Sequence, residues 1–164
     1  MKPSEFILRY YPYAKQTQDK TGISAVFILA QAALESAWGA AAPGNMFFGV
    51  KDTDGLNGNE QLLLTTEYLN NPDKKFPFIV SVVQVGKKLW KYRVKDWFRK
   101  YATPEESFTD HANFFFKNKR YAEALKHSAD PYEFASQVAK AGYATDPDYA
   151  ASLYKVITMI KKYC

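Results

Sequence analysis

The sequence predicts an α+β fold, mainly helical, with one small antiparallel sheet at about residues 62–98. Three observations lead there. Helical periodicity and capping residues dominate before residue 40 and after residue 102. The segment between them is rich in β-branched and aromatic residues. A length of 164 residues that are 47% hydrophobic and 16% aromatic suits one folded domain, residues 1–164, with a β-lobe at about 46–98.

Two helices are expected at the start of the chain. The first covers residues 4–18, with Ser4 as its N-cap and Pro12 as a break or kink. The second runs from about Ala25 to Trp38, capped by Ser24, and stops at the next glycine. It is apolar on nearly every side, which predicts a buried central helix.

The middle and the end of the chain differ in pattern. After an irregular stretch, runs such as "LLLTTEYL" and "FIVSVVQV" predict two or three antiparallel strands within residues 62–69, 78–85 and 88–98. Helices then return, with Thr103 and Asp130 as N-caps, over residues 103–116, 120–127, 130–142 and 146–163.

Charge and composition narrow the classes of partner. The net charge of +5 favours anionic partners, including an acidic cell-wall polymer. Lysine and arginine are spread along the chain, so we expect no nucleic-acid partner. The single cysteine excludes an intrachain disulfide, and the two histidines have no metal-ligand spacing, so neither a metal site nor a cofactor is expected. The sequence contains no run of 18 apolar residues, so we expect no stable membrane insertion.

One carboxylate, Glu35, ends the apolar helical run "ILAQAALESAWG". On a helix it shares a mostly apolar stripe with Ile28, Gln31 and Ala32. Burial there would raise its pKa, and a raised carboxyl pKa is what a general acid needs near neutral pH; lysozyme is the well-known case. The alternative is an exposed and idle glutamate at a helix end.

Several motifs in one order resemble the family-73 glycoside hydrolases, bacterial endo-β-N-acetylglucosaminidases that cleave peptidoglycan. "LAQAALESAWG" followed by "NMFFGVK" resembles the family signature, and "LLLTTEY" resembles its strand with a second acidic residue. "DWFRKYATPEESFTDHANFF", "NKRYAEAL" and "AGYATDPDYAASLYKVI" resemble its later motifs. The resemblance covers nearly the whole chain and implies a lysozyme-like fold.

The resemblance also implies roles for three residues. Glu35 matches the general acid, Glu67 in "TTEY" the second carboxylate, and Tyr143 in "GYATDP" a tyrosine lining the cleft. Glu67 as a base in an inverting reaction would lie roughly 6.5–9.5 Å from the acid. The substrate's acetamido oxygen could instead attack the anomeric carbon, with Tyr143 orienting it. An ordinary strand glutamate and a packing tyrosine are the bland alternatives.

Aromatic side chains near these positions are candidates for stacking on sugar faces, and Asn45 is a candidate partner for sugar hydroxyls. For each ring, core packing is the competing interpretation. The candidate rings are Trp38, Phe48, Tyr68 and Tyr121.

The leading hypothesis is a monomeric hydrolase that cuts peptidoglycan glycan strands after N-acetylglucosamine. The rivals are a muramidase or lytic transglycosylase on the same scaffold and, in another class, a non-catalytic peptidoglycan-binding or assembly module. The substrate lies in the periplasm or cell wall, yet "MKPSEFILRYYPYAKQ" is not a signal peptide. Delivery by phage lysis, by a secretion machine, or as a domain of a longer exported protein would each fit.

Overall fold

Helices from both ends of the chain surround one almost fully apolar helix, and the segment between these ends of the sequence forms a three-stranded sheet. The computed structural model describes all residues, 1–164. The chain divides into a helical unit, formed by Met1–Phe48 and Tyr101–Cys164, and a sheet unit, Gly49–Lys100. The α+β class with a small antiparallel sheet is therefore confirmed.

The helical unit contains six α-helices. Two short 3₁₀ turns, at Pro43–Asn45 and Lys119–Tyr121, link some of them. The helices are α1 (Pro3–Thr21), α2 (Ala25–Glu35), α3 (Pro104–Lys117), α4 (Ala122–Leu125), α5 (Pro131–Lys140) and α6 (Tyr149–Lys161). None of them is both long enough and apolar enough to cross a membrane.

Most predicted caps are in place, and α1 needs a correction. Ser24, Thr103 and Asp130 accept hydrogen bonds from the first turns of α2, α3 and α5, as expected. Helix α1 begins earlier than expected, because Pro3 occupies its first turn and Lys2 is the N-cap residue in place of Ser4. Pro12 does not break α1, which continues to Thr21.

Helix α2 is the centre of the core, as its composition predicts. All of its residues from Phe27 to Ala33 are buried, and it contacts α1, α3, α5 and α6. Phe27 packs against Phe134 of α5 and Phe115 of α3, with ring centroids 4.5 and 6.0 Å apart. Burying such side chains stabilises the fold by roughly 1.5–3 kcal/mol each, so α2 is fixed firmly in place.

The sheet unit has strands β1 (Glu60–Leu69), β2 (Phe78–Gly86) and β3 (Leu89–Arg99), all antiparallel, in the order β1-β3-β2. Strand β2 is thus an outer strand. It bears no charged residue, and most of its apolar side chains are exposed: Phe78, Ile79, Val80, Val83 and Val85.

Candidate active site

Glu35 is the last residue of α2, so the buried helix carries the carboxyl to the point where the chain emerges from the core. Ser36, fully buried, stops the helix: its Oγ donates to the Ala32 carbonyl at 2.6 Å and accepts from the Gly39 amide at 3.0 Å. The Ala32 carbonyl thus accepts from both the amide and the hydroxyl of Ser36, and the second bond ties the Gly39 amide to the end of the helix.

A left-handed turn follows Glu35. Ala37, Trp38 and Gly39 have φ of 50°, 55° and 84°. Helix α2 therefore ends three residues before the expected Trp38. The turn is closed by hydrogen bonds from the Trp38 amide to the Ala33 carbonyl at 2.8 Å and from the Ala41 amide to the Ser36 carbonyl at 2.9 Å.

The surroundings of Glu35 raise the pKa of its carboxyl. The Glu35 side chain is exposed, not buried as its apolar stripe predicts. Nearby protein still removes part of the water around the carboxyl, and this desolvation is the larger effect on its pKa. The Tyr149 hydroxyl of α6 donates a hydrogen bond to the carboxylate and acts in the opposite direction. Because desolvation dominates, Glu35 holds its proton more tightly than an ordinary glutamate does.

Tyr149 belongs to a chain of buried polar groups behind Glu35. Gln31, one helical turn before Glu35 on α2, donates from Nε2 to Tyr149 Oη at 2.9 Å. Its Oε1 lies 2.7 Å from Nε2 of His111 on α3. Relative exposures of 0% for Gln31, 8% for His111 and 9% for Tyr149 show that the chain is almost completely shielded from water.

Tyr143 and Phe48 pack around this chain. The Tyr143 ring stacks on Tyr149, with centroids 5.5 Å apart, and meets His111 edge-on at 6.0 Å. The Phe48 ring stacks on the His111 ring, with centroids 3.6 Å apart. Burial raises the pKa of both tyrosines, so both hydroxyls stay protonated and able to donate.

Glu67 lies in the sheet unit, on β1 opposite Tyr92 of β3. Its carboxylate forms an ion pair with Lys51, whose Nζ lies 2.8 Å from Glu67 Oε1. The same Nζ lies 3.2 Å from Oδ2 of Asp96 on β3. Lys51 therefore offsets the repulsion between two carboxylates of neighbouring strands. The ion pair compensates the charge of Glu67.

The other candidate residues have mixed positions. Trp38 is half-buried, with its ring edge-on to Phe6 at 5.5 Å. Asn45 donates to the carbonyls of Tyr101 and Ala102, so its amide holds the backbone. Tyr68, on β1, is 58% exposed and accessible to a ligand.

Two of the expected sugar-stacking rings are core residues. Tyr121 is 0% exposed and packs against Phe114 and Phe115, which corrects its assignment to the substrate surface. Phe48 is also buried and packs on His111. For these two rings the core-packing alternative holds, because a ring covered by protein cannot stack on a sugar.

No sequence motif connects Gln31, His111 and Tyr149 as a set. One local signal was present, since Gln31 precedes Glu35 by four residues and so shares its helical face. His111 and Tyr149 lie 80 and 118 positions from Gln31, and no local pattern links positions that far apart. Elsewhere, no group of three or more His, Cys, Asp or Glu side chains is placed to hold a metal ion.

Comparison with known proteins decides the family. The profile of the Glucosaminidase family, described as mannosyl-glycoprotein endo-beta-N-acetylglucosaminidase, matches residues 11–163. The chain belongs to this family. The resemblance seen in the sequence motifs is therefore confirmed, and the glucosaminidase family is one of glycoside hydrolases.

Curated relatives agree with this membership. The peptidoglycan hydrolase FlgJ of Vibrio cholerae is 34% identical over 161 residues, which are 94% of this chain and 43% of that protein. A probable N-acetylmuramidase of Lactococcus lactis is 32% identical, over 88% of this chain and 30% of that protein. This glucosaminidase-family chain thus spans less than half the length of these relatives.

A solved structure shows the same fold. The glycoside hydrolase domain of Salmonella typhimurium FlgJ superposes with a TM-score of 0.73 at 29% identity, covering 99% of this chain and 91% of that one. The expected lysozyme-like fold is confirmed by this similarity.

Proposed function

We propose that this chain is an endo-β-N-acetylglucosaminidase that cleaves the β-1,4 bond after N-acetylglucosamine in peptidoglycan. The observation that carries the proposal is the carboxyl of Glu35, held at the end of a buried helix with a raised pKa in a chain of the glucosaminidase family. The FlgJ relatives, named peptidoglycan hydrolases, support the choice of polymer.

Glu35 would act as the general acid. Desolvation favours its protonated form before the reaction, so a proton is available for the glycosidic oxygen as the bond breaks. Once the proton leaves, the new carboxylate can accept the hydrogen bond from Tyr149. That bond is stronger for the charged form, so it stabilises the transition state more than the resting enzyme.

Glu67 and Tyr143 are proposed to assist. Glu67 would be the second carboxylate, supported by its motif and by the Lys51 ion pair that holds it. Tyr143 would orient the acetamido group of the substrate, supported by a hydroxyl whose raised pKa keeps it a neutral donor beside Tyr149. Trp38, Tyr68 and Asn45 remain candidates for sugar contacts.

The decisive test is Glu35→Gln, which keeps the shape of the side chain and removes its transferable proton. We expect the rate of peptidoglycan lysis to fall by about 10²–10⁴-fold while circular dichroism shows an unchanged fold. Glu123→Gln, at an exposed glutamate paired with Lys126, is the matched control and should lyse normally. Undiminished lysis by Glu35→Gln would refute the role of Glu35, and a wild-type chain that binds peptidoglycan without cutting it would indicate a binding module.

A second candidate function is muramidase activity, which the name of the Lactococcus lactis relative favours. Mass spectrometry of digested peptidoglycan separates the two. New reducing ends that are N-acetylglucosamine support the glucosaminidase. Reducing N-acetylmuramic acid supports the muramidase, and its anhydro form would indicate a lytic transglycosylase.

The place of action follows from the proposed substrate. We propose that the chain works in the periplasm or cell wall, where peptidoglycan lies. Delivery by phage lysis, by a secretion machine or within a longer exported protein all remain compatible with this proposal.

A further inference from the structure

Three buried polar side chains, from three different helices, form a continuous hydrogen-bonded network, and its last member, Tyr149, interacts with Glu35. In order they are His111 of α3, Gln31 of α2 and Tyr149 of α6. We propose that Gln31 and His111 are positioning residues that orient the Tyr149 hydroxyl so that its hydrogen points at the Glu35 carboxyl. The proposal deepens the function assigned to Glu35 and, in its catalytic meaning, rests on it.

The direction of the chain follows from the chemistry of the Gln31 amide. An amide has a donor end and an acceptor end, so it can face its two neighbours in two ways. With Nε2 facing Tyr149, as in the structure, the tyrosine oxygen accepts from Gln31. The single hydroxyl hydrogen of Tyr149 is then free for the Glu35 carboxylate, whose pKa Tyr149 lowers.

The opposite orientation would remove this bond. If the amide oxygen faced Tyr149, the hydroxyl hydrogen would be donated to Gln31, and Glu35 would lose its donor. His111, at the other end of the hydrogen-bonded network, decides which of the two orientations the Gln31 amide adopts. His111 Nε2 lies 2.7 Å from the amide oxygen, and that contact is a hydrogen bond only when Nε2 carries a hydrogen.

His111 is suited to keep this arrangement fixed. It is buried, and its ring is held between Phe48, stacked at 3.6 Å, and the edge of Phe115 at 5.1 Å. Burial lowers the pKa of His111 to about 3. The ring therefore stays neutral over the range in which Glu35 titrates. The direction of the hydrogen bonds from His111 through Gln31 to Tyr149 then does not change with pH.

The effect on Glu35 has a definite sign. The titratable groups that act on it are Tyr149 of α6, Tyr143 of the segment before α6 and, beyond Tyr149, Tyr121. Only Tyr149 donates to the carboxylate and so lowers its pKa. Because a donor that itself accepts a hydrogen bond becomes a stronger donor, loss of the Gln31 bond should raise the pKa of Glu35.

The first experiment uses the unmodified chain. Long-range proton–nitrogen NMR of histidine-labelled protein reports which ring nitrogen carries the hydrogen, and a His127→Gln variant assigns the signals. We expect His111 as the Nε2–H tautomer throughout pH 5–8. An Nδ1–H tautomer would overturn the proposal, because the Gln31 amide would then have to donate to His111 and present its oxygen to Tyr149.

The second experiment is a double-mutant cycle read by carbon NMR titration of the Glu35 carboxyl. Tyr149→Phe should raise the pKa of Glu35, because the carboxylate loses its donor. Gln31→Met should raise it by a smaller amount in the wild-type background and by nearly nothing in the Tyr149→Phe background. Equal shifts in both backgrounds, or no shift in either, would contradict the proposal.

Two further variants complete the cycle. Gln137→Met removes a glutamine amide elsewhere, on α5, and should leave the pKa of Glu35 unchanged. His111→Phe keeps a ring against Phe48 and is used in place of Gln31→Met if that variant does not fold. The shift that His111→Phe causes in the pKa of Glu35 should likewise disappear in the Tyr149→Phe background. These titrations need no substrate, so they decide the proposal even if Glu35→Gln were to lyse peptidoglycan normally.

Discussion

At the scale of single residues, Glu35 makes the native state sensitive to pH. Its carboxyl has a raised pKa in the folded chain and an ordinary value, near 4.5, when unfolded. The folded state therefore binds the proton more tightly, and the stability that this provides is present below the unfolded pKa. It is lost as the pH rises through the folded pKa.

A stability measurement checks this sign. Glu35→Gln cannot ionise, so its Tm relative to wild type should increase between about pH 4 and pH 7, by on the order of 1–2 °C, because the carboxyl is exposed in part. Thermal unfolding followed by circular dichroism at several pH values gives the difference. A Tm difference that falls with rising pH would show that the carboxyl is stabilised in its charged form.

The candidate site was predictable only where the information is local. Glu35 could be identified because an apolar helical stripe surrounds it in the sequence. The hydrogen-bonded partners Gln31, His111 and Tyr149 could not be connected, because only the packing of α2, α3 and α6 brings them together. Burial of Tyr121 was missed for the same reason, since local sequence does not show which face of a helix another helix covers.

At the scale of elements, the left-handed turn after α2 departs from what local propensity predicts. Ala37 and Trp38 adopt positive φ, which is unfavourable for residues with a Cβ. The expected helix end at Trp38 was wrong because the hydrogen bonds of Ser36 and the packing of Trp38 on Phe6 outweigh this preference. Sheet boundaries, set by β-branched runs, were predicted within two residues.

The turn yields a prediction for stability. Ala37→Gly should stabilise the fold by about 0.5–1 kcal/mol, because glycine adopts this conformation without steric cost. This stabilisation should raise the Tm by about 1–4 °C. Ala40→Gly, at an exposed neighbour outside the positive-φ residues, is the control and should not stabilise. A lower Tm for Ala37→Gly would contradict the strained turn.

At the scale of the whole molecule, the net charge of +5 should govern adsorption to the cell wall. Attraction between the basic chain and carboxylates of peptidoglycan is screened by salt, with a Debye length of about 10 Å at 0.1 M. We expect sedimentation assays to show weaker binding to insoluble peptidoglycan as NaCl rises from about 0.05 to 0.5 M. The rate of cleavage of an uncharged chitooligosaccharide should change little over the same range of NaCl. If binding to peptidoglycan and cleavage of the oligosaccharide were equally sensitive to salt, this explanation would be refuted.

The outer strand β2 has a consequence for the handling of this protein. Its unpaired backbone edge, together with its exposed, uncharged valine, isoleucine and phenylalanine side chains, is the kind of template on which fibrillar aggregates grow. Lysine pairs stand on both sides of it, Lys74–Lys75 before and Lys87–Lys88 after, and such flanking charges act as gatekeepers against strand stacking. Chemical acetylation of these lysines would remove that protection and should shorten the shelf life of concentrated stocks.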